Sequence, residues 1–248
     1  METKYSRPRL IAHRGLATHS PMNSLASFQA AASEHFWAIE TDIRKTKDGQ
    51  FVCIHDETVD SMFDGSGRIC DLTLQELREY QYQESQKRGC PDPGPIPTFE
   101  EYLEICKSGN CCPFIETKTK DVEKVLEIAF RYFHPEDVVL SSTRFEHLEA
   151  AIAYSDTVFV HHIFSDKTCM EKLAKRGRCG ISYNYVHYED APWELLQHTH
   201  DLNVQFCLRA GDNPDTIFAM QGLGIDYIPT NCITPSAYEA YLQERGMS

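Results

Sequence analysis

Residues 38–55 read AIETDIRKTKDGQFVCIH, in which two short extended patterns flank a turn. Successive side chains of a β-strand point to opposite faces, so Glu40 and Asp42 share one face and the two isoleucines beside them occupy the other. The Asp48-Gly49 pair predicts a tight turn into a second strand over 51–55. We therefore predict a strand over 38–44 whose apolar face packs against helices and whose carboxylates point inward.

Similar apolar runs recur along the chain and alternate with helical patterns. The remaining predicted strands lie at 10–12, 113–118, 138–142, 158–162, 180–183, 204–208 and 226–229. Helices are predicted at 23–35, from 98 onward, and at 121–132, 144–154, 167–175, 192–200 and 214–221. Asn23 or Ser24 is the expected first N-cap, and Thr98 with Glu101 forms a capping-box pattern. Roughly eight strand–helix repeats predict an α/β protein with a parallel sheet, closed as a (β/α)8 TIM barrel.

Residues 56–97 interrupt this alternation. The segment contains four prolines and four glycines, and its one helical pattern covers 74–82. A chain of 248 residues has the usual length of one closed α/β barrel. We predict that residues 1–248 form a single barrel domain with an insertion at about 56–97, after the second strand region.

The composition is that of a soluble globular protein, with 42% hydrophobic and 25% charged residues. The net charge of −13 disfavours binding to nucleic acid or anionic membranes, so an anionic substrate would need local positive charge. We see no secretion signal in residues 1–10 and no apolar run long enough for a membrane span. We therefore expect a cytoplasmic protein without stable membrane insertion, whose ten cysteines are reduced thiols.

Two histidines stand at the ends of predicted strands. In His13-Arg14-Gly15 the glycine gives the backbone freedom to break the strand, so that both preceding side chains can serve one site. His55-Asp56 ends the strand over 51–55. Because barrel strands end on one face, both histidines are candidates for acid–base chemistry. His13 alone would more often be a structural histidine, and we interpret the other histidines, including His161 and His162, as structural or surface residues.

Glu116 and Lys118 lie two apart in the strand over 113–118 and share a face. If Glu116 joins Glu40 and Asp42, three buried carboxylates repel one another unless a proton or a cation lies between them. A site with only oxygen ligands suits Mg²⁺ or Ca²⁺ rather than zinc. The alternatives are a Glu116–Lys118 ion pair across the barrel and solvated acids at a strand end.

Eight short motifs now stand in order along the chain. They are His13-Arg14-Gly15, Asn23-Ser24, Ile39–Asp42, Thr46–Gly49, His55-Asp56, Asp71–Thr73, Ile96–Glu101 and Ile115–Lys118. Together they resemble the glycerophosphodiester phosphodiesterase family over nearly the whole chain. The resemblance implies a barrel enzyme that uses one divalent cation, Mg²⁺ or Ca²⁺, to hydrolyse glycerophosphodiesters to glycerol phosphate and an alcohol. It implies that His13 and His55 are general acid and base, that Glu40, Asp42 and Glu116 bind the metal, and that Arg14 and Lys118 neutralise phosphoryl oxygens.

Three short parts of the chain depart from the family pattern. Met22 stands where the family has glutamate, Phe206-Cys207-Leu208-Arg209 replaces Trp-Thr-Val-Asn, and Thr230-Asn231 replaces Thr-Asp. They leave two alternatives open. One is a related barrel phosphodiesterase or phospholipase D acting on lysophospholipid or sphingolipid head groups, and the other is a barrel that binds phosphodiesters without catalysis. Direct attack by water and a cyclic phosphate are both compatible with these residues.

Overall fold

The computed structural model describes residues 6–18, 20–83, 91–183, 193–208 and 212–247. The strands are β1 (Arg9–Ala12), β2 (Ala38–Lys45), β3 (Phe51–Cys53), β4 (Cys112–Thr117), β5 (Val139–Ser142), β6 (Phe159–His162), β7 (Cys179–Ser182), β8 (Gln205–Cys207) and β9 (Tyr227–Thr230). The helices are α1 (Leu25–Ser33), α2 (Leu74–Leu77), α3 (Phe99–Ser108), α4 (Val122–Ala129), α5 (Phe145–Tyr154), α6 (Lys167–Ala174), α7 (Trp193–Asp201), α8 (Pro214–Gly222) and α9 (Pro235–Glu244).

Eight parallel strands close into a barrel in the order β1, β2, β4, β5, β6, β7, β8 and β9. Closure is visible at Ala12, which lies opposite Ile39 on one side and Thr230 on the other. The predicted (β/α)8 TIM barrel is confirmed. Because all eight strands run the same way, the residues that follow them meet at one end of the barrel.

Strand β3 is not part of the barrel. It pairs antiparallel with β2, with Cys53 opposite Ile43, and the Asp48-Gly49 turn joins the two strands as predicted. The predicted strand over 51–55 was wrong at its end, since the strand stops at Cys53. Ile54 still donates its backbone N–H to the Asp42 carbonyl of β2 at 2.9 Å, and His55 is the next residue along the chain.

Alternation along the strands divides their side chains between two cores. Ile39 and Ile43 belong to the core between the barrel and its helices, where the Tyr102 hydroxyl also donates to the Ile39 carbonyl at 2.6 Å. Phe114 and Tyr227 belong to a second core inside the barrel. Glu40 and Asp42 therefore point to the interior, as the period of two predicts.

The segment after β3 has a small hydrophobic core of its own. This core consists of Val52, Ile54, Val59, Phe63, Ile69, Leu77, Tyr82 and Ile96. The predicted helix over 74–82 was wrong, because α2 ends at Leu77. Beyond it Tyr82 pairs with Phe63, their ring centroids 4.2 Å apart, which favours extended chain over helix. Residues 84–90 of the predicted insertion lie outside the described residues, and the single-domain organisation stays a prediction.

Helix starts follow the predicted capping residues. Ser24 caps α1, and its side chain accepts from the Ser27 backbone N–H. Thr98 caps α3 and forms the predicted capping box with Glu101. Pro192, the predicted start of the helix over 192–200, lies outside the described residues. Within the described parts of the chain, no helix combines the length and apolar character needed to cross a bilayer.

Candidate active site

Three carboxylates meet inside the barrel at the carboxyl end of its strands. Glu40 and Asp42 come from β2, and Glu116 comes from β4, directly opposite Asp42 in the strand register. One oxygen from each residue lies within 4.8 Å of the others, which is close enough to share one ion. The donors are all carboxylate oxygens, the ligands that Mg²⁺ and Ca²⁺ prefer. The cluster therefore fits a hard divalent cation.

The electrostatics of the cluster also favour a cation. Burial raises the pKa of Glu40 well above its usual value, and repulsion from Asp42 and Glu116 adds to the shift. Burial and Asp42 likewise raise the pKa of Glu116. Burial opposes ionisation of Asp42 too, but the charges of Lys118 and Arg14 outweigh it and the pKa of Asp42 is lowered. Without a cation, the cluster lowers its repulsion by holding protons on Glu40 or Glu116.

Arg14 and Lys118 flank the same aspartate. Arg14 Nε lies 3.2 Å from one Asp42 oxygen, and Lys118 Nζ lies 3.2 Å from the other. Lys118 also contacts Glu116, so the ion pair considered as an alternative to a metal site is present alongside the carboxylate cluster. Both cations lie where they could reach an anion bound beside the carboxylates.

The turn after β1 aims Arg14 at the cluster. Arg14 has φ +57 and its backbone N–H donates to Glu40 Oε2 at 2.9 Å. Gly15 follows with φ +82, and a Cβ at this position would collide with Ser27. The predicted strand break at Gly15 therefore requires glycine for both its backbone conformation and its close approach to α1.

Asn23 contacts the carboxylate cluster, a role that the sequence did not predict, since it marked Asn23 as a possible helix cap and as part of the Asn23-Ser24 motif. Its Nδ2 donates to Asp42 Oδ2 at 3.2 Å, and its Oδ1 accepts from the Thr41 hydroxyl at 2.8 Å. The Tyr82 hydroxyl donates to its carbonyl at 2.8 Å, which ties the segment after β3 to the cluster. The sequence signal for Asn23 was its place in the Asn23-Ser24 motif. Ser24 alone caps α1, so capping does not explain why asparagine stands at position 23.

His55 lies just beyond β3 and is held by its neighbour in the chain. Its Nδ1 is 2.7 Å from Asp56 Oδ1. Asp56 in turn accepts a hydrogen bond from Ser61, and these two contacts, the Ser61 bond first, lower the pKa of Asp56. The carboxylate therefore orients the His55 ring through Nδ1 and leaves Nε2 for other contacts.

His13 is the first residue after β1, and it is held by a residue that follows β9, the strand that closes the barrel against β1. Its Nδ1 lies 2.9 Å from Asn231 Oδ1, just beyond β9. The Asn231 Nδ2 donates to Asp212 Oδ2 at 2.6 Å. The sequence marked Asn231 only as a departure from the family pattern, and nothing local pointed to Asp212.

Both histidines line one cavity of about 190 Å³, together with Arg14, Glu40, Glu116 and Lys118. The structure thus brings six of the seven predicted site residues to a common cavity. Asp42, the seventh, is fully buried beneath Arg14 and Lys118.

His161 lies in the same cavity, so its interpretation as a structural or surface residue was incomplete. Its ring nitrogens lie 2.6 Å from the Tyr227 hydroxyl and 3.3 Å from the Ser182 hydroxyl. Burial, with a smaller effect of the neighbouring His162, lowers the pKa of His161 to about 3, so the ring is neutral at pH 7. Beside it, the buried Ser141 hydroxyl has no hydrogen-bond partner among the described residues. This wall of the cavity is polar and uncharged.

The departures from the family pattern fall in different places. Met22 lines a separate cavity of about 30 Å³ with Arg14, His55 and Asp56. Cys207 lines the main cavity, whereas Phe206 packs in the core outside the barrel. Arg209 lies outside the described residues.

Comparison with known proteins agrees with this architecture. A model of the glycerophosphoryl diester phosphodiesterase family matches residues 13–233. A glycerophosphodiester phosphodiesterase of Caldanaerobacter subterraneus is 36% identical over 193 residues, covering 75% of this chain and 70% of that protein. Glycerophosphodiester phosphodiesterase 1 of Mus musculus is 39% identical over 114 residues. The match covers 45% of this chain and 34% of the mouse protein, so this chain spans about a third of that relative's length.

Solved structures share the fold. An Oleispira antarctica phosphodiesterase in complex with the product sn-glycerol-3-phosphate has a TM-score of 0.81 at 20% identity, covering 96% of this chain and 97% of that one. A glycerophosphodiester phosphodiesterase of Thermotoga maritima has a TM-score of 0.74 at 21% identity, covering 97% of this chain and 100% of that one. With the family model matched over most of its length, the chain belongs to the glycerophosphoryl diester phosphodiesterase family.

Proposed function

We propose that this chain hydrolyses glycerophosphodiesters to glycerol phosphate and an alcohol. In this proposal His13 and His55 are the general acid and base, Glu40, Asp42 and Glu116 hold one Mg²⁺ or Ca²⁺, and Arg14 and Lys118 contact the phosphoryl oxygens. The observation that supports it is the common cavity, which is lined by both histidines and by Glu40 and Glu116, two of the three converging carboxylates. The family and the names of its relatives supply the substrate class.

Charge balance explains why the site would need its cation. The protein carries a net charge of −13, and at the cluster three carboxylates face the two cations Arg14 and Lys118. A divalent ion would reverse the sign of the local charge, polarise the phosphoryl group and stabilise the charge that develops on it. Arg14 suits this task because its planar guanidinium can bind two phosphoryl oxygens at once.

The histidines supply the proton transfers. Hydrolysis of a phosphodiester expels an alkoxide, which leaves more easily when an imidazole donates a proton to it, and an attacking hydroxyl group gains from a second imidazole that accepts its proton. Asp56 and Asn231 hold the two rings through Nδ1. In this proposal the proton is transferred through Nε2 of each ring.

Replacement of each histidine tests this proposal. We expect His13→Ala and His55→Ala each to lower kcat by about 10²-fold or more with a soluble glycerophosphodiester such as glycerophosphocholine. His134→Ala, at the opposite end of the barrel, is the matched control and should retain wild-type turnover. Chelation should abolish activity, and added Mg²⁺ or Ca²⁺ should restore it. Near-normal turnover by either active-site variant would remove that histidine from the mechanism.

A second candidate, hydrolysis of lysophospholipids, is favoured by the cavity wall. Phe164 lines the cavity beside Ile163 and is 58% exposed, so the cavity offers an accessible apolar ring. An acyl chain could pack against it. Phosphorus NMR of a panel of soluble glycerophosphodiesters and lysophospholipids would separate the two substrates, and Phe164→Ser should lower turnover of lysophospholipids alone.

A further inference from the structure

Asp212, which lies between β8 and α8, holds the turn that carries Asn231. Its Oδ1 accepts the Asn231 backbone N–H at 2.6 Å and the Thr230 hydroxyl at 3.1 Å. Its Oδ2 lies 2.6 Å from Asn231 Nδ2. Both oxygens of this carboxylate are therefore committed to the two residues at the end of β9.

The Asp212 carboxylate determines which way the Asn231 amide points. A side-chain amide can rotate by 180° with little change of shape, so its hydrogen-bond partners have to define its orientation. An ionised carboxylate only accepts hydrogen bonds, so the amide NH₂ must face Asp212. The amide oxygen then faces His13 Nδ1, at 2.9 Å. His13 can satisfy an oxygen only by donating from Nδ1, and a neutral ring then has its lone pair on Nε2.

We propose that Asp212 is a positioning residue that, through Asn231, fixes the His13 tautomer with the proton on Nδ1. The consequence for catalysis rests on the function proposed above, because it requires His13 Nε2 to exchange protons with the substrate. Asp212 touches neither substrate nor the carboxylate cluster in this role. It orients the Asn231 amide, and that amide determines whether His13 Nδ1 donates or accepts a hydrogen bond.

Replacement of Asp212 by asparagine should reverse this direction. The oxygen at position 212 would still accept from the Asn231 backbone and the Thr230 hydroxyl, so the new NH₂ would stand where Oδ2 was. Asn231 would then turn its oxygen toward position 212 and its NH₂ toward His13. That arrangement imposes the tautomer with the proton on Nε2. Alanine at position 212 imposes neither orientation, so the isosteric change should be the more harmful one.

Steady-state kinetics with glycerophosphocholine give the first readout. For Asp212→Asn we expect kcat to fall about 10²- to 10⁴-fold, because a wrongly held tautomer has an effect of this size in other histidine enzymes. For Asp212→Ala we expect a fall of at most about tenfold, and KM should stay within about threefold in both. Asp215→Asn is the control, since this exposed carboxylate bonds Tyr241 and Arg245 and should have wild-type activity.

The double variant that exchanges the side chains of Asp212 and Asn231 gives the most discriminating test. In Asp212→Asn/Asn231→Asp, a carboxylate at position 231 accepts from His13 Nδ1 and from the amide at position 212, while that amide's oxygen accepts from the backbone and Thr230. The exchanged pair therefore keeps all the hydrogen bonds among His13, position 231, position 212 and Thr230, and His13 keeps its proton on Nδ1. We expect kcat to recover to within about tenfold of wild type. A merely structural role of Asp212 predicts no such recovery.

The ¹⁵N chemical shifts of the His13 ring give a readout that needs no turnover. We expect Nδ1 to be protonated and Nε2 to be unprotonated in the wild type and in the exchanged variant, and the reverse in Asp212→Asn. A wild type with this tautomer but no activity on any phosphodiester would support the present inference and contradict the proposed function. A wild-type Nε2 that carries the proton, or full activity of Asp212→Asn, would overturn the inference.

Discussion

At the scale of single residues, the three carboxylates differ in how their charge is balanced. Asp42 contacts Arg14, Lys118 and Asn23, so its negative charge is compensated even without a metal. Glu40 accepts from a backbone N–H, and burial raises its pKa. Glu116 contacts Lys118, which Asp42 also holds in place. Loss of Asp42 would therefore disturb two cations, whereas loss of Glu116 would disturb Lys118 alone and remove one oxygen donor from the proposed metal site.

Glu116→Gln is consequently the cleaner test of the metal site. Removal of one of the three proposed anionic ligands should weaken Mg²⁺ or Ca²⁺ binding at least tenfold, because affinity for hard cations depends on the number of charged oxygens. Titration calorimetry measures this directly. Asp121→Asn is the control, since the carboxylate of Asp121 pairs with Lys45 outside the cluster. Equal affinity in the wild type and Glu116→Gln would exclude Glu116 from the site.

At the scale of secondary-structure elements, the sequence predicted what depends on local periodicity. Alternation within Ile39–Ile43 was enough to turn Glu40 and Asp42 inward, because the period of a strand is set by its own backbone. The partner of a strand is not a local property. Phe51–Cys53 was correctly read as extended but lies outside the barrel, and the contact of His13 with Asn231 spans 218 positions in the chain. Such contacts depend on closure of β1 against β9.

Packing between β7 and β9 gives an element-scale prediction. Gly180 lies against the Tyr227 hydroxyl, and a Cβ there would overlap that oxygen. Gly180→Ala should therefore destabilise the protein by about 1–3 kcal/mol, the usual cost of overpacking. Gly222, at the end of α8, has open space around its Cβ position, so Gly222→Ala should be neutral or stabilising by up to about 1 kcal/mol. Urea unfolding compares the two, and equal effects would contradict this account of Gly180.

At the scale of the whole molecule, the protein has a net charge of −13, but its main cavity is lined by both charged and neutral polar residues. One wall carries Arg14 and Lys118 with the carboxylates, and the other carries neutral polar groups such as Ser141 and His161. The net charge predicted that the positive charge for an anionic substrate would be local, yet it could not locate the two cations. Their placement depends on the turn after β1 and on the end of β4, which only the folded barrel brings together.

The buried His161 makes the stability of the whole molecule depend on pH. Its folded-state pKa of about 3 lies below the ordinary value of 6.5, so only the unfolded chain binds a proton between these values. The contribution of His161 to stability is therefore complete above pH 6.5 and is lost as the pH falls toward 3, by at most about 1.4 kcal/mol per unit. His161→Gln removes this proton uptake. Urea unfolding at pH 7.5 and pH 5 should show a smaller loss of stability in His161→Gln than in the wild type, by up to about 2 kcal/mol. His134→Gln serves as the control at the other end of the barrel, and an equal loss in His161→Gln and the wild type would show that His161 takes up its proton without unfolding.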